Sequence, residues 1–409
     1  MTKLEKMLKY VSEHNEFYKK RIKEYGIKDP LDITQWPVLT RKELQENRYN
    51  MFSDGYKSKY YNQQLKRQSS SGSTGMPVNV YWDYKDWYAS NMSLWRMRWE
   101  WYGIKPSDKY VMFTLNIFNM NDDAETIYHI KEANNVLAIN TSLIQNADGY
   151  DSLVDIINEF EPSWLYIQPS ILNKLVQAYK ISGKRLPKSL KYIESVGEIL
   201  TSDLRRRVVD FFNVPIINMY GSEEMNGIAY ECQNRHMHVL GDNVLVEVVT
   251  STGISSSGNG ETIITNLNNH AMPLIRYCQG DYISLTQSGI KCPFQRDKKQ
   301  IEIINGRKSG SFCTASGTEI FSYLLTEIIS EVNNEFCDPI LNYKYIYQKT
   351  ENKLQCYITV QNKAWLKRIE RKIYSIFADK TGVKELNIEV LANCSTISTP
   401  KNSIIEIKE

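Results

Sequence analysis

From about residue 80 the chain alternates apolar, strand-like runs with amphipathic helical segments. In order these are VMFTLNIF, a helix near 123–134, VLAINT, the helix DSLVDIINEF, WLYIQ, a helix at 169–182, LKYIESV, a helix at 202–212, and VPIINMY. Helical stretches of about 10–15 residues between strands return each strand parallel to the last, so the pattern predicts βαβ units and a largely parallel sheet. Such sheets bind ligands beyond the carboxyl ends of their strands. Two of those ends carry chemistry: LKYIESV runs into Gly197-Glu198, and VPIINMY runs into Gly221-Ser222-Glu223-Glu224.

The flanks differ. Residues 3–25 read as one charged amphipathic helix, Lys28-Asp29-Pro30 and Trp36-Pro37 break it, and Thr40 with Glu43 forms a capping box opening another short helix. After residue 240 the runs become short and β-rich, VLVEVVT and ETIITNL, joined by a turn at 251–260. From 311 onward helices and strands alternate again. At 409 residues the chain exceeds what one hydrophobic core serves. The expected architecture is α/β: a large N-terminal domain, residues 1–305, with mostly parallel sheets and a β-rich subdomain. A small, mobile α+β domain follows at residues 306–409, hinged near Gly306-Arg307.

Composition narrows the partners. With 50 basic and 47 acidic side chains the net charge is only +3, which gives no long-range pull toward nucleic acid or lipid and favours a small-molecule ligand. No apolar run approaches the ~20 residues of a membrane helix, and the charged N-terminus does not read as a signal peptide. Seven cysteines, an odd number spread through the chain, do not resemble a disulfide framework. A cytoplasmic location is expected. Trp82, Tyr84, Trp87, Tyr88, Trp95, Trp99, Trp101 and Tyr102 fall at mostly helical spacing. They read as a packing face, with a ligand-stacking platform as the alternative.

Residues 70–77, SSGSTGMP, lead into the strand-like VNVYW. Two glycines allow close backbone approach, and hydroxyls with successive amide N–H groups offer donors to phosphate oxygens. The alternative is a flexible Gly/Ser linker. The triphosphatase P-loop, Gly-x-x-x-x-Gly-Lys-Ser/Thr, does not occur.

SSGSTGMP is followed in order by YGSEE at 220–224, PLIRYCQGD at 273–281 and GRKSG at 306–310. Together they resemble the adenylate-forming superfamily of acyl-CoA synthetases and adenylation domains, and within it the branch of phenylacetate-CoA ligase and CapK-like capsule proteins. The likeness extends to NEFYKKRIKEYGI and WPVLTRKELQEN near the start, to IAYEC at 228–232 and to TNLNNHAMPLIRY at 265–277.

The resemblance implies site residues. Ser71, Gly72, Ser73, Thr74 and Gly75 occupy the loop that holds the ATP triphosphate; Gly197 and Glu198 border the adenine pocket. Tyr220, with Gly221 and Ser222, occupies the adenine-stacking motif; Glu224 matches the acid that binds Mg²⁺, and Glu223 stands where relatives carry Thr or Ser. Asp281 matches the ribose-binding aspartate, a task that needs two acceptor oxygens. Arg307 matches the hinge arginine, while Ser309-Gly310 replace the aspartates that follow it in relatives. The C-terminal Gly-Lys of relatives is missing from ISTPKNSIIEIKE, leaving Lys401 or Lys408 as the catalytic cation, and the phosphate loop lacks a lysine. Cys232, His238 and Cys292 suggest zinc, with the fourth ligand open between His236 and Cys278.

The implied reaction is ATP-dependent activation of a carboxylic acid, positioned near 115–123 and 197–199, to an acyl-adenylate. The acyl group then passes to a thiol such as CoA or to another nucleophile, in surface-polysaccharide or secondary-metabolite synthesis. The competing readings are a non-catalytic nucleotide- or acyl-binding homologue, favoured by the missing lysines, and a CoA-independent acyl or aminoacyl transferase.

Overall fold

The computed structural model describes residues 1–70, 78–114, 128–130, 135–140, 147–287, 292, 299–336, 340–360, 362–383, 386–392 and 405–408. Strands Val136–Asn140, Tyr110–Thr114, Trp164–Ile167, Tyr192–Val196 and Ile216–Ser222 lie side by side, each parallel to the next. Tyr192–Val196 is buried at every position, the polar Glu194 and Ser195 included, as in a strand covered on both faces. Alternate residues reach opposite faces. Leu165 and Ile193 pack on one side beneath the helices Ala147–Phe160, Pro169–Ser182 and Ser202–Phe212. Trp164 and Tyr192 pack on the other against Leu94, Met97 and Trp101 of the helix Tyr84–Tyr102.

At Ser222 the chain reverses, and Ile216–Ser222 pairs antiparallel with Asn226–Glu231. Gly221 is required at this tight hairpin, because a Cβ there would lie 2.4 Å from the Asn226 carbonyl oxygen. Met237–Val239 then joins Asn226–Glu231 to Lys299–Arg307, so the β-rich region continues the parallel layer in one thirteen-stranded sheet instead of forming a separate subdomain. At the far edge, Tyr128–Ile130 pairs antiparallel with Leu137–Ile139. The helix predicted near 123–134 is a strand in its described part, where sheet-edge pairing overrides local pattern.

The N-terminal segment is two helices, Lys3–His14 and Glu16–Glu24, instead of one. Asn15 makes the break: its side-chain oxygen accepts from the Tyr18 amide while its Nδ2 donates to the Met51 carbonyl. The expected capping box forms at Thr40 and Glu43 and opens Arg41–Glu46. Backbone bonds from Leu39 to Arg276 and from Cys278 to Leu39, each 2.9 Å, stitch this lead-in to the sheet. The buried Arg276 strengthens the seam, donating to both oxygens of Glu247 and to the Thr34 and Trp36 carbonyls.

Beyond Arg307 a four-stranded sheet, ordered Asn387–Ala392, Lys353–Val360, Ile340–Gln348, Ile405–Lys408, packs under the helices Ser322–Phe336 and Leu366–Thr381 around its own core. It meets the large sheet's layer through hydroxyls and amides. Ser330 Oγ accepts from the Asp203 amide at 3.0 Å and lies 2.9 Å from Ser202 Oγ, and Arg206 Nε donates to Asn334 Oδ1. A polar contact of this kind is characteristic of parts that move relative to one another.

Candidate active site

The strand ends flagged by the sequence meet at the point where the sheet changes from parallel to antiparallel, and they line one large cleft. Its volume of about 2660 Å³ is several times that of a single-ligand pocket, so it has room for more than one substrate. Tyr220 and Asp281, sixty-one residues apart, are joined by a hydrogen bond of 2.6 Å from the phenol to Oδ2. Gln279 Nε2 donates to the same oxygen at 2.6 Å, and Ser222 Oγ donates to Gln279 Oε1 at 3.0 Å. Arg307 is the cross-strand partner of Asp281, and its Nε lies 3.5 Å from Oδ1. Burial, reinforced by the Asp281 charge, holds the Tyr220 phenol well above its ordinary pKa, so it stays a donor. Asp281 lies within the strand Tyr277–Gln287.

Glu224 is 2% exposed, with long contacts of 3.8 Å to Arg41 Nη1 and 3.5 Å to the Tyr277 hydroxyl. Residues 71–75 lie outside the described residues, but the flanks of that segment are clamped: the Ser70 amide donates to the Val78 carbonyl and the Val78 amide to Ser70 Oγ. Arg41 Nη2 also donates to Ser70 Oγ at 3.0 Å. Arg41 therefore sits between the base of the phosphate-loop segment and the Glu224 carboxylate. Neither Arg41 nor Gln279 was singled out above, although both stand inside quoted motifs, WPVLTRKELQEN and PLIRYCQGD. Glu223 is exposed and accepts from Gln68 Nε2 at 3.1 Å.

Gly197 takes a left-handed φ of +74°, which directs the chain across the strand end. Glu198 faces the cleft but its carboxylate is engaged: it accepts from the amide and hydroxyl of Ser170, both at 2.8 Å, at the start of Pro169–Ser182. Lys401 and residues 115–123 lie outside the described residues. Lys408 pairs with Glu406 at 3.7 Å in the last strand.

The opposite end of the cleft is aromatic. Trp87, Tyr88, Met92 and Trp95 of the helix Tyr84–Tyr102 face Tyr110, Trp164 and Tyr166 across it. The aromatic run thus packs and also lines the cleft. At its floor the Arg98 guanidinium lies over the Trp95 and Trp164 rings at 4.6 and 4.9 Å. It grips the fully buried Glu194 with two bonds of 2.9 and 2.6 Å, while the hydroxyls of Tyr192 and Tyr230 donate to the same carboxylate.

Behind the cleft wall the donor atoms of Cys232, His236, His238 and Cys292 all lie within 4.8 Å of one another. The fourth member is His236; Cys278 belongs to another part of the sheet, opposite Ile263. His238 is buried, and neither of its ring nitrogens has a hydrogen-bond partner among the described residues. Burial lowers its pKa to about 4 and raises that of Cys232 to about 11.

Comparison with known proteins agrees with this geometry. Residues 68–257 match the AMP-binding enzyme family. The chain is 24% identical over 318 residues to the phenylacetate-coenzyme A ligase of Thermus thermophilus, an alignment spanning 71% of this chain and 66% of that one. It is 22% identical over 383 residues to protein CapK of Staphylococcus aureus, spanning 91% and 80%. In structure it is similar to a 2-hydroxyisobutyryl-CoA ligase in the postadenylation state, with a TM-score of 0.78 at 16% identity over 99% of this chain and 88% of that one. The chain thus has the fold of a solved acyl-CoA ligase, and within it the segment 68–257 carries the match to the AMP-binding enzyme family.

Proposed function

We propose that this protein activates a carboxylic acid with ATP and hands the acyl group to a nucleophile. The observation that carries the reading is the Tyr220–Asp281–Arg307 constellation at the sheet's switch point, facing the clamped flanks of the 71–77 segment across Glu224 and Arg41. Asp281 accepts from the ribose hydroxyls, Tyr220 offers its ring to the adenine, and Ser71 to Gly75 cradle the phosphates. Gly197, Glu198, Gly221, Ser222 and Glu223 frame the nucleotide.

Mg²⁺ would be held by Glu224, whose buried carboxylate has only long contacts among the described residues, and it would neutralise phosphate charge. Arg41 adds a cation at the base of the loop that lacks a lysine, and Lys401 is the lid's candidate cation. An oxygen of the acid attacks the α-phosphorus, pyrophosphate leaves, and the acceptor then displaces AMP from the acyl carbon. Binding both partners in one cleft supplies the positioning.

Residues 1–305 act as the body and 306–409 as a lid turning about Gly306-Arg307. Gly306 has a φ of +90°, and a Cβ there would lie 2.7 Å from Ser322 Oγ. CoA is the acceptor suggested by the phenylacetate-coenzyme A ligase relatives; a surface-polysaccharide acceptor, implied by the resemblance to CapK-like proteins, is the alternative. The free thiols among the described cysteines fit a reducing cytoplasm. Pyrophosphate release across a panel of carboxylic and amino acids tests the reading. Release with at least one acid is expected, and none with any acid, despite ATP binding, would turn the protein into a nucleotide-binding homologue.

The Cys232, His236, His238 and Cys292 cluster has the donor set and closeness of a tetrahedral zinc site. It would pin the hairpin whose other residues, Glu231, Arg235 and Met237, line the cleft. Purified protein is expected to carry about one equivalent of zinc, and Cys232→Ser to lose it together with stability. Metal-free, well-folded protein whose Cys232 and Cys292 react with a thiol reagent would remove zinc from the account.

A further inference from the structure

The helix Tyr84–Tyr102 leaves an apolar stripe in solvent. Tyr84, Tyr88, Met92 and Trp99 are all among the exposed large hydrophobic residues, Met92 at 62% and Trp99 at 51%. They recur at spacings of four and seven residues, so they share one face of the helix. Exposed apolar side chains scattered singly need no explanation, but a contiguous row beside a binding cleft does.

The row is continuous with the cleft. Met92, Trp95 and Pro106 line the cleft and also line a second, shallow groove on the outer side of the helix. There they are joined by Trp99, while the Arg96–Asp242 ion pair forms a rim. Met92 and Trp95 therefore form an apolar ridge between the cleft and the groove, with Lys3, Arg96 and Asp242 also lining the groove and Lys3 Nζ donating to the Asp242 carbonyl. On the cleft side the approach to that ridge is aromatic, with Tyr110 and Trp164 stacked at 4.4 Å. The charges below it are mutually cancelled in the Arg98–Glu194 pair.

We infer that the acid used by this protein has an extended apolar tail, with the carboxylate at the nucleotide end of the cleft and the tail leaving across Met92 and Trp95 into the groove beside Trp99. The inference rests on the proposed acid activation, whose site it completes. The groove's occupant is the substrate's own tail, because the groove adjoins the cleft across three shared residues. A second copy of the chain or a partner protein would cover Trp99 without needing that continuity.

The test uses straight-chain carboxylic acids from four to sixteen carbons, below their micellar concentrations, on the full chain. Binding is read by calorimetry in the presence of a non-hydrolysable ATP analogue, and turnover by pyrophosphate release. Affinity is expected to rise by up to about fourfold per methylene until the groove is filled. Trp99→Ala, on the outer groove alone, is expected to erase the gain from long chains, by tenfold or more, while leaving binding of the four- and six-carbon acids unchanged; Met92→Glu, on the ridge shared with the cleft, is expected to weaken the long chains most.

Length-dependent binding without pyrophosphate release upholds the tail site and fails the ligase reading. Release with short acids only, without a length effect, upholds the ligase and overturns the tail site. Equal losses for all chain lengths in both variants, or a concentration-dependent dimer that Met92→Glu dissolves, also overturn it.

Discussion

Two buried carboxylates flank the same cleft and are treated in opposite ways. Glu194 receives two bonds from Arg98 and one each from the Tyr192 and Tyr230 hydroxyls. Four donors, three on Oε2 and one on Oε1, hold a carboxylate that is fully buried, so no ligand reaches it. Asp281 receives two neutral donors on Oδ2, Tyr220 and Gln279, while among the described residues Oδ1 has only the Arg307 Nε contact at 3.5 Å. Its charge is held in place without being consumed. An enclosed ion pair builds the wall of a site; a partly engaged carboxylate at a strand end is available to a ligand.

The largest expected effect breaks the enclosed side. Arg98→Leu strands Glu194 without its cation and is expected to cost about 3–5 kcal/mol in urea unfolding. Replacing Glu194 by Leu in the same chain should recover most of that loss, since a buried pair exchanged for apolar groups is often neutral. A loss below about 1 kcal/mol for Arg98→Leu would mean that the pair is not the structural element described.

The next effect concerns cations at the other end. Arg41→Ala and Lys401→Ala, tested separately, distinguish the loop-side from the lid-side cation. Removing the one aimed at developing negative charge is expected to lower adenylate formation by roughly 10²–10³. If Lys401 acts only in the transition state, its loss leaves ATP affinity nearly unchanged, whereas loss of Arg41, which touches the Ser70 anchor, also weakens ATP binding. Unchanged rates in both variants would place the cation elsewhere.

The smallest effect sharpens the contrast itself. Asp281→Ala removes the available acceptor and is expected to weaken ATP binding by about 1–3 kcal/mol, with little change in folding stability. A variant that loses several kcal/mol of folding stability while its folded fraction keeps wild-type ATP affinity would put Asp281 in the same class as Glu194.

Much of this molecule was legible beforehand, for identifiable reasons. The parallel strands announced themselves because strands covered on both faces are mostly apolar, and the capping box at Thr40 because its two bonds are local. Local pattern misled at Tyr128–Ile130, an edge strand fixed by its neighbour, and at Asn15, where a side chain bonded thirty-six residues away splits one helix into two. Tyr220, Glu224, Asp281 and Arg307 could be listed from their motifs, yet no motif says that Tyr220 touches Asp281 or that Arg41 reaches Glu224.

The sequence by itself determined the alternation of strand and helix, the order of the motifs and the set of candidate side chains, all of which depend on residues near one another in the chain. Only the tertiary structure decided the continuity of the thirteen-stranded sheet, the placing of His236 beside Cys232, His238 and Cys292, and which of two buried carboxylates is enclosed. The last two depend on groups such as Cys232 and Cys292, 60 residues apart, and Arg98 and Glu194, 96 apart, coming together, and such meetings follow from how the layers pack.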